Sequence, residues 1–486
     1  MSSYFADLAQ QYIDGEWRPG SGSWDIIDFN PYDGEKLASI AIATVDEVDQ
    51  AYKAAARAQK EWAATNPYAR RAVFEKALRL VEERQQELTE LIVAELGGTH
   101  TKAGFELHLA KEFLRESVHL ALRPEGRILP SPIDGKENRL YRVPVGVVGV
   151  ISPFNFPFLL SLKSVAPALA AGNGVVLKPH QNTPIAGGTV IAKIFEDAGL
   201  PAGLLNVVVT DIAEIGDAFL EHPIPKVISF TGSDKVGRHV ATVCAAQFKR
   251  SILELGGNSA LVVLDDADVD YAVDAAVFSR YVHQGQVCMA ANRVLVDRAV
   301  LAEFTEKFVA KVKTLKTGDP RDPETIIGPL INSQQADSVS GVVEQAVAEG
   351  ATALVRGTVT DNLVTPSVLT DVPAGSELLR QEVFGPVAFL IPFDGEDEAV
   401  AIVNDTPYGL SGAVHTGDVE RGVNFAQQID TGMFHVNDGT VHDEPLVPFG
   451  GEKSSGIGRL NGETTLDAFT TLKWISVQHG RSGFPF

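Results

Sequence analysis

Between residues 143 and 255 the chain alternates short apolar runs with amphipathic stretches, and this feature constrains the fold most. The apolar runs are VGVVGVI (145–151), GVVLK (174–178), LNVVV (205–209), KVISFT (226–231) and SILEL (251–255). Helical segments lie between them, at roughly 158–171, 183–199, 211–221 and 234–247. A strand that is apolar on both faces must be covered on both faces, and parallel strands need long crossovers, usually helices. The pattern therefore predicts a Rossmann-like parallel sheet, whose ligands bind beyond the carboxyl ends of its strands. A second α/β series follows: SALVVL, a helix from about Asp266 to Tyr281, then RVLVD and the helical AVLAEFTEKFVAKVKTL. At 486 residues the chain exceeds one ordinary core, so several domains are expected.

Two further helices precede the sheet. One opens with Thr44 and Glu47 as a capping box, the other with Asn66 and Pro67, and Gly97–Gly98 closes the second. The tail FTTLKWISVQHGRSGFPF reads as extended. The N-terminal MSSYFADLAQQYIDGEW has no basic region and no apolar run, so no secretory leader is expected. Residues 143–162 are uncharged but contain Pro144, Pro153, Asn155 and Pro157, which a lipid-embedded helix would not tolerate; a strand, a loop and a helix start are expected there. A net charge of −22 with no basic tail argues against nucleic acid or an anionic membrane surface as the main partner. Two cysteines cannot build a disulfide framework, which points to a reducing, cytoplasmic compartment.

Several residues could carry chemistry. Cys244 lies with Val240, Val243 and Phe248 on an apolar helical stripe and reads as a core thiol. Cys288, in HQGQVCMAANR, has no such stripe and is either structural or a nucleophile. Gly232, Ser233 and Gly237 in FTGSDKVG stand between a strand and a helix, as a plain turn or a phosphate cradle; Arg238 occupies the place of a P-loop lysine. Asn155 in SPFNFP ends a strand between prolines, as an Asx turn or an oxyanion donor. Glu254 in LELGGN is a general base or a solvated edge charge. His435, Asp438, His442, Asp443 and Glu444 cluster in HVNDGTVHDEP, but their spacing matches no standard metal motif and reads as a solvated loop, so no metal is expected.

Taken in order, SPFNFP, LKP (177–179), FTGSxxxG, LELGGN, GQVC, EVFGPV (382–387), NDTPYGLS (404–411) and PFGGEKSSGIGR (448–459) resemble the aldehyde dehydrogenase superfamily along nearly the whole chain. VNDGTVHDEPLVPFGG and the ending LKWISVQ…FPF resemble its branch acting on aromatic aldehydes such as benzaldehyde, vanillin or salicylaldehyde.

The resemblance implies an α/β fold in three parts: a cofactor domain (1–121, 143–254 and 448–469), a catalytic domain (255–447) and a β oligomerisation part (122–142 and 470–486). It implies a homodimer or homotetramer acting on a small aldehyde. It makes Cys288 the nucleophile, Asn155 an oxyanion donor and Glu254 the base that activates the deacylating water. It assigns Phe154, Lys178, Gln181, Gly232, Ser233, Gly237, Leu255, Glu382 and Phe384 to an NAD site. Gln181 stands where NAD-preferring members often carry glutamate, which leaves NADP open. Lys163 falls where many members have an aromatic channel residue and either attracts a ring substituent or points to solvent. The rival readings are an aldehyde dehydrogenase for aliphatic or semialdehyde substrates, a cysteine acyl-transfer hydrolase without nicotinamide, and a non-catalytic relative.

Overall fold

A computed structural model describes residues 7–486. The first six residues of the segment read for a leader lie outside the described residues. The first sheet has a parallel centre of five strands: β1 (Val147–Ile151), β2 (Gly174–Lys178), β3 (Leu205–Val207), β4 (Val227–Thr231) and β5 (Arg250–Glu254). They lie in the order β3-β2-β1-β4-β5, extended at one edge by Gln11–Ile13 and Glu16–Arg18 and at the other by Gly456–Ile457. The order reverses between β1 and β4, because the chain leaves β1 to one side for β2 and returns on the other side as β4. That crevice is where open parallel sheets bind ligands. Helix α1 (Pro157–Ala170) follows β1, and α2 (Asp234–Ala246) follows β4.

A second sheet has its own parallel centre: β6 (Ser259–Val263), β7 (Ala291–Asp297), β8 (Val387–Phe393) and β9 (Gly412–His415), in the order β8-β7-β6-β9. Only four residues separate β5 from β6, so the two sheets meet at the end of Glu254. The tail strand Thr470–Gln478 pairs antiparallel with Lys136–Pro144, which also pairs with Arg127–Leu129. Among the described residues no helix is long and apolar enough to cross a membrane.

The strands fall within two residues of their sequence expectation, but three helices differ. The long helix after Asn66 is two, Pro67–Glu83 and Gln85–Leu96, re-aimed at Arg84 (φ −98°, ψ 17°). The segment at 183–199 opens with a π turn, Ile185–Thr189. The buried Glu95 carboxylate accepts the N–H groups of Ile185 and Ala186 at 2.8 and 2.7 Å, capping first-turn donors that have no partner within the helix, and the wider turn closes with a bond from the Thr189 N–H to the Pro184 carbonyl at 3.2 Å. The segment at 211–221 breaks at Gly216 (φ 49°) into Ile212–Ile215 and Ala218–Glu221. Cys244 is buried as expected, but Phe248 is not part of its stripe: α2 ends at Ala246, and Phe248 stands in the left-handed region, 99% exposed.

Behind the site lies a buried ion pair, Lys102–Glu106, with both side chains fully inaccessible. Glu106 also accepts the Leu159 N–H at 3.1 Å, and the Lys102 ammonium sits 4.4 Å from the centre of the Phe156 ring. The pair thus ties the start of α1, and the Asn155 loop before it, to the preceding helix. Glu106→Ala leaves an uncompensated ammonium in the interior; a loss of about 3–5 kcal/mol in chemical denaturation is expected.

Candidate active site

The carboxyl ends of the first sheet carry the candidate residues because of register. Ile151 pairs with Lys178, and Thr231 pairs with Glu254. Asn155 sits in the turn between β1 and α1, where Pro157 opens the helix. Its amide donates one N–H to the Gln286 carbonyl at 3.0 Å, which orients the group and leaves the second N–H free for another acceptor. Gln286 in turn accepts the Ile331 N–H through its side chain at 3.0 Å, so the anchor is itself held.

Cys288 arrives from the second sheet. Ser259 pairs with Ala291, so the chain leaving β5 runs beside the chain entering β7. The approach is close: a Cβ on Gly257 would lie 2.4 Å from the Cys288 carbonyl oxygen. At the neighbouring Gly256 a Cβ would lie 2.4 Å from a Glu382 carboxylate oxygen and would displace that side chain. Glu382 accepts the Gly257 N–H at 3.1 Å. The two glycines of LELGGN therefore let Glu254, Cys288 and Glu382 share one space.

That space is a cavity of about 540 Å³, within the usual range for a ligand pocket. It is lined by Phe154, Asn155, Lys178, Gln181, Gly232, Ser233, Glu254, Leu255, Cys288, Glu382 and Phe384. The expected residue that does not line it is Gly237. It lies in α2 beneath Leu255, where a Cβ would meet that side chain at 2.4 Å, so its contribution is close packing. Ser233 caps α2, accepting the Val236 N–H at 3.4 Å, and thereby turns a 13-residue helix's N-terminus toward the cavity. Phe154 stands edge-on to Phe384 at 5.8 Å and to His180 at 5.3 Å. A second, apolar cavity opens on the other side of the same three groups, Asn155, Glu254 and Cys288. Its walls include Phe105, Leu109, Phe156, Leu159, Val287, Met289 and Phe449.

Burial governs the titration of the site. It pushes the Glu254 carboxyl up to about 8, partly offset by the Lys163 charge; Asp443 adds to the rise and Arg459 opposes it. Both Glu254 oxygens are buried without a hydrogen-bond partner, which a structural carboxylate would not tolerate. The solvated-edge reading of Glu254 is thus overturned. Burial likewise pushes the Cys288 thiol up to about 12, helped by the Glu382 and Glu254 carboxylates. It raises Glu382 to about 7. The Cys288 proton must therefore be accepted by a base within the cavity for the sulfur to act as a nucleophile.

The lining suits a nicotinamide dinucleotide. It offers an ammonium (Lys178), a helix N-terminus capped by Ser233 for the pyrophosphate, and a carboxylate (Glu382) able to accept from ribose hydroxyls. His180, Asp211 and Gln335 line the same cavity and were missed in the sequence. Asp211 could have been found, as the first acid beyond the third strand at the ligand-binding end of the sheet.

Two sequence expectations are corrected. Lys163 does not point to solvent: its side chain is 3% exposed and its ammonium donates to Asp443 at 2.6 Å. The 435–445 loop is not uniformly solvated either. Asp443 turns inward to Lys163, while His442 reaches Glu444 at 2.9 Å and the His435 ring lies 5.4 Å from that of His442. Among the described residues no group of three His, Cys, Asp or Glu side chains is placed to hold a metal ion.

A thiol, an amide and a carboxylate face one dinucleotide-sized cavity from two α/β sheets, an arrangement suited to a cysteine-based enzyme that binds a dinucleotide. Residues 17–475 match the aldehyde dehydrogenase family, and the chain belongs to that family. It is 59% identical over 482 residues to the benzaldehyde dehydrogenase YfmT of Bacillus subtilis, covering 99% of each chain. It is 47% identical over 482 residues to a vanillin dehydrogenase of Corynebacterium glutamicum, covering 98% of this chain and all of that one. The crystal structure of a salicylaldehyde dehydrogenase from Pseudomonas putida G7, complexed with salicylaldehyde, superimposes with a TM-score of 0.95 at 34% identity, over 98% of this chain and 99% of that one.

Proposed function

We propose that this enzyme oxidises an aromatic aldehyde to its carboxylic acid with a nicotinamide dinucleotide, through a thioester on Cys288. The observation that carries the reading is the apolar, aromatic-walled cavity meeting the dinucleotide-sized one at Cys288, Asn155 and Glu254. The benzaldehyde, vanillin and salicylaldehyde names of its relatives support the substrate class.

Glu254 in its ionised form takes the Cys288 proton, and the thiolate attacks the aldehyde carbon. The resulting oxyanion accepts hydrogen bonds from the free N–H of Asn155 and from the Cys288 backbone N–H. When bound, the oxidised cofactor supplies the acceptor for the hydride that the tetrahedral adduct expels. The carbonyl then re-forms as a thioester. Glu254 releases the first proton to solvent and, ionised again, accepts a proton from water as its oxygen attacks that carbonyl; the C–S bond breaks, Glu254 returns this proton to the departing sulfur and the acid leaves.

Lys178, Ser233 and Glu382 would hold the cofactor. Gln181 is neutral, but Asp211 lines the same cavity, near enough to Lys178 to act on its charge. A carboxylate there repels a 2′-phosphate, so NAD is the favoured form over NADP. The exposed Ile128, Leu472, Trp474 and Ile475 on the three-stranded sheet are an edge liability that a second copy would cover, which supports a homo-oligomer.

The test crosses benzaldehyde, vanillin, salicylaldehyde, hexanal and betaine aldehyde with each cofactor, following reduced cofactor by absorbance. Aromatic aldehydes with NAD should give the highest kcat/KM; a preference for hexanal or betaine aldehyde would overturn the substrate class. Asn155→Ala should lower kcat by about 10²–10³-fold, the usual cost of one oxyanion donor. Because burial raises the Glu254 carboxyl to about 8, its basic form accumulates as pH rises. Turnover limited by deacylation should therefore climb from pH 6 and level off above about 8 in a pH–rate series.

A further inference from the structure

Lys163 and Asp443 take no part in the reaction as written, yet both line the aldehyde cavity alongside Glu254. Lys163 projects from α1 and Asp443 from the loop before the PFGG segment. The Lys163 ammonium meets one Asp443 oxygen at 2.6 Å, and the other oxygen accepts the Asn461 amide at 2.8 Å. The ammonium is also capped by the Phe449 ring, 3.4 Å from its centre. With side chains 3% and 6% exposed, neither charge can swing out to water. A buried ion pair is weak support for stability, since an apolar pair of similar volume would avoid the desolvation cost. In a wall otherwise apolar, its distinctive property is a fixed pair of opposite charges.

We propose that Lys163 and Asp443 are positioning residues for Glu254: their fixed charges set when its carboxyl is available as a base. The inference rests on Glu254 being that base. Glu254 has no hydrogen-bond partner, so its proton affinity depends on burial and on the charges that face it. These are Lys163 from α1, Asp443 from its loop and Arg459 beyond it, with the Cys288 thiol across the cavity. Arg459 also lies close, since a Cβ on Gly450 would sit 2.8 Å from its Cδ and 3.1 Å from a Glu254 oxygen, but its guanidinium is engaged by the Gly451 and Gly458 carbonyls, 2.9 Å each, and by Glu452. The Lys163–Asp443 pair is the part of this charge field that lines the aldehyde cavity itself together with Glu254. Lys163 stabilises the ionised carboxylate and Asp443 destabilises it. In a water-poor cavity both act with little screening.

The opposite signs make the test decisive. The variants are Lys163→Met, Asp443→Asn, the double variant, and Lys163→Arg as the charge-conserving control. The readout is the infrared carbonyl band of protonated Glu254 in the full-length, cofactor-free enzyme, assigned by its loss in Glu254→Gln. The titration midpoint should rise by about one pH unit or more in Lys163→Met and fall in Asp443→Asn. It should return toward the parent value in the double variant and stay there in Lys163→Arg. The pH profile of benzaldehyde turnover should move with it, with KM little changed. Unmoved midpoints, or midpoints that move together in both single variants, would overturn the inference. So would a change confined to KM for ring-substituted aldehydes, which would make the pair a substrate contact. Midpoints that shift as expected while the turnover profile stays put would uphold the charge coupling and overturn Glu254 as the base. If one single variant fails to fold, the other carries the test: a midpoint displaced in its expected direction and restored in the double variant upholds the inference, and an unmoved one overturns it.

Discussion

Cys288→Ser eliminates aldehyde-dependent NADH formation, with turnover expected to fall by more than about 10³-fold, as for other nucleophile replacements. The substitution is nearly isosteric, so the cavity keeps its shape and cofactor binding, followed by protein fluorescence, should persist. What changes is the atom. A serine hydroxyl is far harder to ionise than a thiol, and Glu254 is too weak a base to compensate. The alkoxide is also a poorer leaving group when water attacks the acyl intermediate. Retained turnover in this variant would remove the sulfur from the mechanism. Loss of turnover together with loss of cofactor binding would instead point to a misfolded site, which a thermal-melt comparison resolves.

Glu254→Gln is expected to separate the two halves of the reaction. The amide fills the same volume but cannot accept the proton of the attacking water. Rapid mixing should show a first turnover of reduced cofactor close to the enzyme concentration, followed by steady turnover lowered about 10²–10⁴-fold. The acyl group should be recoverable on Cys288 by mass spectrometry of the quenched protein. The step in the pH–rate profile near 8 should also disappear, because the group responsible for it has gone. The burst is slowed as well to the extent that Glu254 also accepts the thiol proton, so the burst rate measures that second role. Steady turnover equal to the parent enzyme would mean another group activates the water.

The cofactor sheet was legible because its signal is local. A strand covered on both faces must be apolar throughout, so GVVLK and KVISFT mark their own ends, and the residue order alone puts Lys178 and Glu254 at the carboxyl edge. The helices were less legible where a distant group intervenes. Nothing in TPIAGGTVIAKIFEDAG reveals that Glu95, remote in sequence, takes two of its N–H groups. The stripe ending in Phe248 failed for the opposite reason: apolar spacing continued past the point where the helix stopped.

The site divides in the same way. Asn155, Glu254 and Cys288 stood out as residue types in unusual company, and their identity with family motifs supplied the roles to test. Lys163 was singled out only by its place in the family pattern and Asp443 only as one member of the 435–445 cluster; nothing along the chain pairs them, and their 2.6 Å contact inside an apolar wall is a tertiary fact.

What the sequence determined by itself is the set of chemical groups and the local frames that carry them: apolar strands, capped helices, glycines where no side chain fits. What only the tertiary structure decided is which groups share a dielectric environment. Proton affinity and charge coupling depend on distance and on the exclusion of water, and both arise when two sheets pack, not from the order of residues along either one.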